Sequence, residues 1–162
     1  MKSHTRLSAV NLQLLIDRLI SFYQPVANRH NSFFSTLTLQ NSLYLKTDAE
    51  ALGTLMSSLF YIVARCSSDS SILISAACFH DRGAISLQFG GKVDSYLILC
   101  GFQHLELLAE ELNGCLEITR NGTRETIVTF NFSNNPAVKK YCTFENDNPR
   151  SLHHRSSLYY NV

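Results

Sequence analysis

The order of the apolar patterns limits this fold more than any other feature of the chain. Helix-type spacing is followed by two short strand-type runs, and that order occurs three times. In residues 7–22 the apolar positions Leu7, Val10, Leu14, Leu15, Leu19 and Phe22 recur every three or four residues, which predicts a helix that Pro25 ends. Residues 33–39 and 43–45 read as two strands around a turn at Asn41-Ser42. Thr47-Asp48 then opens a second helix, because an Asp cap followed by Glu50 suits the positive end of the helix dipole. That helix carries Leu52, Leu55, Met56, Leu59, Phe60, Ile62 and Val63 and fades at Cys66-Ser67-Ser68.

Residues 72–79 and 84–89 are predicted strands joined by the turn His80-Asp81-Arg82-Gly83, and Gly90-Gly91-Lys92 breaks the second of them. A third helix over 96–112 places Leu97, Ile98, Phe102, Leu105, Leu108, Ala109 and Leu112 on one face and stops at Asn113-Gly114. Residues 116–119 and 126–132 close the domain as a hairpin around Asn121-Gly122. This order predicts an α+β fold, a two-layer sandwich of about three helices on one face of a mixed, mostly antiparallel sheet.

Composition excludes several classes. The chain has 162 residues, enough for one domain with short tails. Its 14 Lys+Arg against 13 Asp+Glu leave a net charge of +1, so binding of nucleic acid by phosphate neutralisation has no support. No apolar run reaches the roughly 18–20 residues that span a bilayer, and Asn11, Gln13, Asp17 and Arg18 interrupt the one stretch that resembles a signal peptide. Membrane insertion is therefore not expected. The five cysteines (Cys66, Cys78, Cys100, Cys115 and Cys142) include no C-x-x-C pair and sit mainly in apolar segments, which reads as buried free thiols in a reducing cytoplasm. Beyond Ser133 the apolar periodicity is lost. The expected division is a domain over 1–133 and a poorly ordered tail over 134–162.

Residues 47–65 resemble the pattern D-x-x-x-L-x-x-x-L-x-N-L-L-x-N-A-x-K of the ATP-binding domain of sensor histidine kinases, with Asp48, Leu52, Leu59 and Arg65 in matching places. The likeness continues through Leu99-Cys100-Gly101-Phe102, where that family has its second glycine motif, to the closing hairpin over 115–132. It implies the histidine kinase ATPase fold and places a nucleotide pocket around Ser58, Ile62, Phe89, Gly90, Gly91 and Gly101. The Mg²⁺-binding Asn of the family falls at Ile62, and an earlier Asn of the same helix at Ser58. An aliphatic side chain cannot ligate a cation that demands oxygen donors. The adenine-binding Asp of the D-x-G-x-G motif falls at Phe89, ahead of Gly90-Gly91, and residues 92–98 are too few for the loop that closes over the triphosphate. Gly101 alone keeps a phosphate-contacting position, as the opening of a helix. Ile62 is expected to be buried, sealing the pocket.

Other candidates for chemistry have plainer readings. Gly90-Gly91-Lys92 lacks the spacing of a phosphate loop and reads as a turn. His80-Asp81 belongs to a turn, where Asp is expected for backbone reasons, and His4, His30, His153 and His154 show no metal-ligand spacing. His104, Glu106, Glu110 and Glu111 read as the solvated face of the third helix, and Cys100 has no evident base to activate it. No catalytic residue and no metal site is assigned. The reading is a non-catalytic, pseudo-ATPase domain without a cofactor, contacting a protein partner of a signalling pathway and open to self-association. Its alternative is a divergent kinase of the same fold using Mg·ATP, either a sensor histidine kinase or an anti-sigma-type serine kinase.

Overall fold

The computed structural model describes residues 7–39, 43–79, 82–90, 95–121 and 125–133. In chain order the elements are β1 (Leu7–Asn11), α1 (Leu12–Asn28), β2 (Phe33–Leu39), β3 (Tyr44–Asp48), α2 (Ala49–Cys66), β4 (Ser71–Phe79), β5 (Arg82–Gly90), α3 (Ser95–Glu111), β6 (Gly114–Asn121) and β7 (Glu125–Ser133). Five strands form one sheet in the order β2-β4-β5-β7-β6, and β1 pairs with β3 in a separate two-stranded ribbon. Only β2 and β4 run parallel. The other pairs of the large sheet are antiparallel, so the fold is the expected α+β sandwich of three helices on a mixed, mostly antiparallel sheet.

Helix α2 organises this architecture. Asp48 caps it by accepting from the backbone N–H groups of Glu50 at 2.9 Å and Ala51 at 3.1 Å, which satisfies two of the orphan donors of its first turn. Leu52, Leu55, Met56, Leu59, Phe60, Val63 and Ala64 are fully buried along it. Each large apolar side chain removed from water contributes about 1.5–3 kcal/mol. Across the interface they meet Ile72 and Ile74 of β4, Ile85, Leu87 and Phe89 of β5, and Val128 and Phe130 of β7 in one core. Phe60 stacks on Phe34 of β2 with ring centroids 5.2 Å apart.

Four expectations are corrected. The first helix does not start at residue 7: residues 7–11 are β1, and α1 begins at Leu12 because the Asn11 side chain accepts from Leu14 N–H at 3.0 Å. Leu7 and Val10, three residues apart, suit a helix and fall on opposite faces of a strand, but pairing with β3, from Leu7↔Asp48 to Asn11↔Tyr44, makes the segment a strand. Nor does Pro25 end α1. It lies inside the helix, whose last turn is fastened from outside: Ala27 is fully buried, and Gln24 Oε1 accepts from Phe34 N–H of β2 at 3.0 Å.

The runs around Asn41-Ser42 are not a strand pair. β2 joins β4 and β3 joins β1, because a parallel β2–β4 pairing requires the long crossover that β3 and α2 supply. Arg82 and Gly83 belong to β5, facing Phe79 and Cys78, where the sequence suggested a turn. His80, Asp81, Gly91 and Lys92 lie outside the described residues, as do His4, His153, His154 and the whole of 134–162.

The helix-to-strand corner after α3 sets a tight packing constraint. Asn113 takes a left-handed φ of 56°, donates to the Glu110 carbonyl at 3.0 Å and accepts from Ser133 N–H at 3.2 Å. A Cβ on the next residue, Gly114, would collide with the Asn131 carbonyl oxygen and lie 2.9 Å from Phe130 Cζ. Gly53, in α2, has nothing within 4 Å of the same position. Gly114→Ala is therefore expected to destabilise the chain by about 1–3 kcal/mol, and Gly53→Ala to stabilise it by about 0.5–1 kcal/mol. Urea unfolding monitored by circular dichroism measures both, and opposite signs are required.

Candidate functional site

Over the outer side of α2, between α1 and α3, lies a cleft of about 300 Å³ lined by Tyr23, Ser57, Ser58, Tyr61, Ile62, Gly101, His104 and Leu105. α2 supplies four of these residues because Ser57, Ser58, Tyr61 and Ile62 lie opposite its buried stripe, one turn apart. α1 contributes Tyr23, whose hydroxyl shares a 2.6 Å hydrogen bond with Ser57 Oγ. α3 contributes the remaining wall.

Ser58, Ile62 and Gly101, far apart in sequence, thus meet in one place. Ile62 is half-buried, where full burial was expected, because its side chain stands at the α2–α3 seam with one edge toward the cleft. A Cβ on Gly101 would lie 2.7 Å from Ile62 Cδ1 and 3.2 Å from Ile62 Cγ1, so the absence of a side chain at Gly101 is what lets the two helices close on Ile62. Gly101 does not open its helix. α3 begins at Ser95, so Gly101 is in its second turn, where the backbone N–H is used inside the helix rather than offered to an anion.

The other positions of the implied nucleotide pocket lie elsewhere. Phe89 is buried on the core face of β5, its backbone opposite Thr126 of β7. Gly90 faces Glu125 in the β5–β7 ladder, and Gly91 is outside the described residues. Between Gly90, the end of β5, and Ser95, the start of α3, only residues 91–94 remain. The side chains in the cleft are hydroxyls, one imidazole and aliphatic groups. Among the described residues no carboxylate or carboxamide lines it, so the described walls offer a hard cation no carboxylate or amide oxygen from a side chain.

Tyr23, Tyr61 and His104 were not singled out from the sequence as site residues. The signal present in the sequence was the spacing of Ser57, Tyr61 and Arg65, four residues apart on α2. Arg65 Nη1 donates to the Tyr61 hydroxyl at 3.0 Å, and the guanidinium also lies 5.7 Å from the Tyr61 ring centroid. That hydrogen bond raises the pKa of Arg65 above the ordinary arginine value. Tyr23 and Tyr61 approach at 6.2 Å between centroids, and the exposed Phe22 ring meets Tyr23 edge-on at 5.0 Å. The cleft therefore has an aromatic rim on its α1 side.

Glu106, Glu110 and Glu111 are exposed on α3, as is His30 beyond α1. Among the described residues, no three of His, Cys, Asp and Glu come together in a metal-binding group. Cys66 and Cys78 carry reduced thiols, whereas Cys115 is disulfide-bonded, which corrects the expectation of free cysteines throughout. The absence of C-x-x-C spacing does not exclude a bond between cysteines distant in sequence.

The Gly101–Ile62 contact sets an expected outcome for a double-mutant cycle. Gly101→Ala alone adds helix propensity and a steric clash that oppose each other. In an Ile62→Val background the clashing Cδ1 is gone, and Gly101→Ala is expected to stabilise the chain by about 1 kcal/mol. A coupling energy of about 1 kcal/mol from thermal unfolding of the four proteins is the expected result, and additivity would place Ile62 away from Gly101.

No protein-family model matches the sequence, and no curated protein shows significant similarity to it. Solved structures do. The histidine kinase AdeS of Acinetobacter baumannii superposes with a TM-score of 0.69 at 11% identity, over 83% of this chain and 70% of that one. The catalytic domain of the histidine kinase ThkA gives a TM-score of 0.69 at 14% identity, over 80% of this chain and 97% of that one. ThkA in complex with the response regulator protein TrrA gives 0.65 at 13% identity, over 82% of this chain and 43% of that one. No helix among the described residues is long and apolar enough to cross a membrane. The chain has the fold of the histidine kinase ATPase domain.

Proposed function

We propose that this chain is a non-catalytic module of the histidine kinase ATPase type, a pseudo-ATPase that acts in the cytoplasm by contacting a protein in a signalling pathway. The observation that carries the reading is the closure of α3 on α2 through Gly101 and Ile62, at the two positions where the resemblance places phosphate and metal contacts. Phe89 supports it from the core, since a buried phenyl group stands where the adenine-binding carboxylate would be. Loss of a charged or bidentate hydrogen bond costs about 1.5–3 kcal/mol, so two such losses weaken a micromolar site by roughly two to four powers of ten.

A protein partner is supported by the apolar side chains that the three helices leave exposed. Leu14, Phe22, Tyr61 and Leu107 are large apolar side chains left exposed on the three helices, and Phe22 is 73% accessible. A relative of the same fold, ThkA, has been crystallised with a response regulator protein. Residues 1–133 form the functional domain in this reading.

Isothermal titration of the full chain with Mg·ATP and Mg·ADP is expected to show no saturable heat, and millimolar Mg·ATP to leave the melting temperature unchanged. A site with micromolar affinity would instead add about 4 kcal/mol at a thousandfold excess of ligand over Kd, an unmistakable thermal shift. Such a shift would replace the pseudo-ATPase reading with the alternative, a divergent ATP-dependent kinase.

A further inference from the structure

We propose that the cleft between the three helices is an acid-anchor site: it receives a segment of the partner protein that places a carboxylate on Arg65 and an apolar side chain against Tyr61, Ile62 and Leu105. The site rests on the protein-binding reading and adds the chemistry that holds the partner.

Arg65 sets the charge of the occupant. It lies one turn beyond Tyr61 on α2, and Tyr61 lines the cleft, so the guanidinium stands at the rim. It is held there twice, by the 3.0 Å hydrogen bond from Nη1 to the Tyr61 hydroxyl and by its place 5.7 Å from the ring centroid. A guanidinium carries a fork of N–H donors, and this hydrogen bond occupies Nη1 alone. The groups that act on Arg65 electrostatically are Tyr61 and Cys66, with no carboxylate among them. Asp69, the acid nearest to it along the chain, is engaged elsewhere: its carboxylate accepts from Asn31 Nδ2 at 3.1 Å and from Ser68 Oγ at 3.2 Å. Among the described residues, then, Arg65 is a cation fixed in place with no anion beside it. A long side chain ordered before it meets its ligand loses less entropy on binding. Its planar fork matches a carboxylate, which accepts two parallel N–H bonds.

The space beside Arg65 suits an apolar group. Tyr23 Oη and Ser57 Oγ satisfy each other at 2.6 Å, so these two hydroxyls need nothing from a ligand. Ile62, Gly101 and Leu105 complete an aliphatic wall. At about 300 Å³ the cleft is at the lower end of small-molecule pockets, which run to roughly 300–1,000 Å³, and it fits a large side chain better than a whole cofactor.

The aromatic surface continues past the cleft. Phe22, 73% exposed, meets Tyr23 edge-on at 5.0 Å, and Tyr23 lies 6.2 Å from Tyr61. A free small carboxylate would leave that rim in water, whereas a peptide segment covers it. Aromatic side chains and arginine are also the residues that carry most binding energy at protein interfaces. The occupant is therefore a protein segment. The Ser58 hydroxyl on α2 and the His104 imidazole on α3 are the polar groups that remain for its backbone.

The test titrates the isotope-labelled full chain with three capped dipeptides, acetyl-Phe-Glu-amide, acetyl-Phe-Gln-amide and acetyl-Phe-Lys-amide, and follows amide and arginine Nε–H signals by NMR. The Glu peptide is expected to shift the Tyr61, Ile62 and Gly101 amides and the Arg65 Nε–H together and saturably, and to bind on the order of tenfold more tightly than the Gln peptide. The Lys peptide is expected to bind more weakly still. Arg65→Gln is expected to bind the Glu and Gln peptides equally and to melt with the parent, since Arg65 is exposed. Equal affinity of the parent chain for the Glu and Gln peptides would overturn the role of Arg65, and cleft amides that move with none of the three would overturn the site. If 3-phenylpropionate binds as tightly as the Glu peptide, the occupant is a free carboxylate and the protein segment is wrong. The pseudo-ATPase reading fails separately, through a saturable shift of the same amides with Mg·ATP. Silent peptides together with silent Mg·ATP overturn the acid anchor alone.

Discussion

Burial of one face of α2 is the interaction on which the remaining structure depends. That helix presents its apolar stripe to β4, β5 and β7 and touches both other helices along its flanks, so the sheet, α1 and α3 are positioned by reference to it. The Asp48 cap fixes where the helix starts and hence which residues face the sheet. Because the stripe uses one side of the helix, Ser57, Ser58, Tyr61 and Ile62 are carried outward together. The cleft is thus a by-product of core packing, and its residue types, rather than its existence, decide what it can do.

In the proposed reading those residue types make a contact surface rather than an ion site. In a pocket that holds a divalent cation and phosphates, charge must be met by oxygen ligands and free backbone N–H groups. Here an isoleucine meets a glycine in mid-helix, and the seam is closed by van der Waals contact. The rim of Phe22, Tyr23 and Tyr61, with Arg65 fixed on Tyr61, has the aromatic and arginine content typical of protein interfaces.

The parts of this fold that could be read from the sequence are the locally determined ones. α2 has a cap, one uninterrupted stripe and a polar stop, all within its own residues, and its bounds follow. The β6–β7 pairing follows in the same way from two strand-like runs close together in the chain. What could not be read depends on distant partners. β1 is a strand because it meets β3, more than thirty residues later, and Asn41-Ser42 resembles a hairpin turn because nothing local announces that β2 will pair with β4. Pro25 was misjudged because the contacts that hold the last turn of α1, through Ala27 and Gln24, come from outside that helix. The site divides in the same manner: Ser58, Ile62 and Gly101 followed from the resemblance of their segments to a known pattern, but Tyr23 and His104 joined them only when three helices packed together.

The central claim, that Gly101 belongs to a closed helical seam and not to an open phosphate-binding loop, is tested most directly by amide hydrogen exchange at Gly101 in the full chain. A residue in the second turn of α3, with its N–H paired inside the helix, exchanges slowly. The account predicts that Gly101 is protected in the free protein and that millimolar Mg·ATP does not change its rate. Rapid exchange in the free protein that becomes slow when Mg·ATP is added would contradict it.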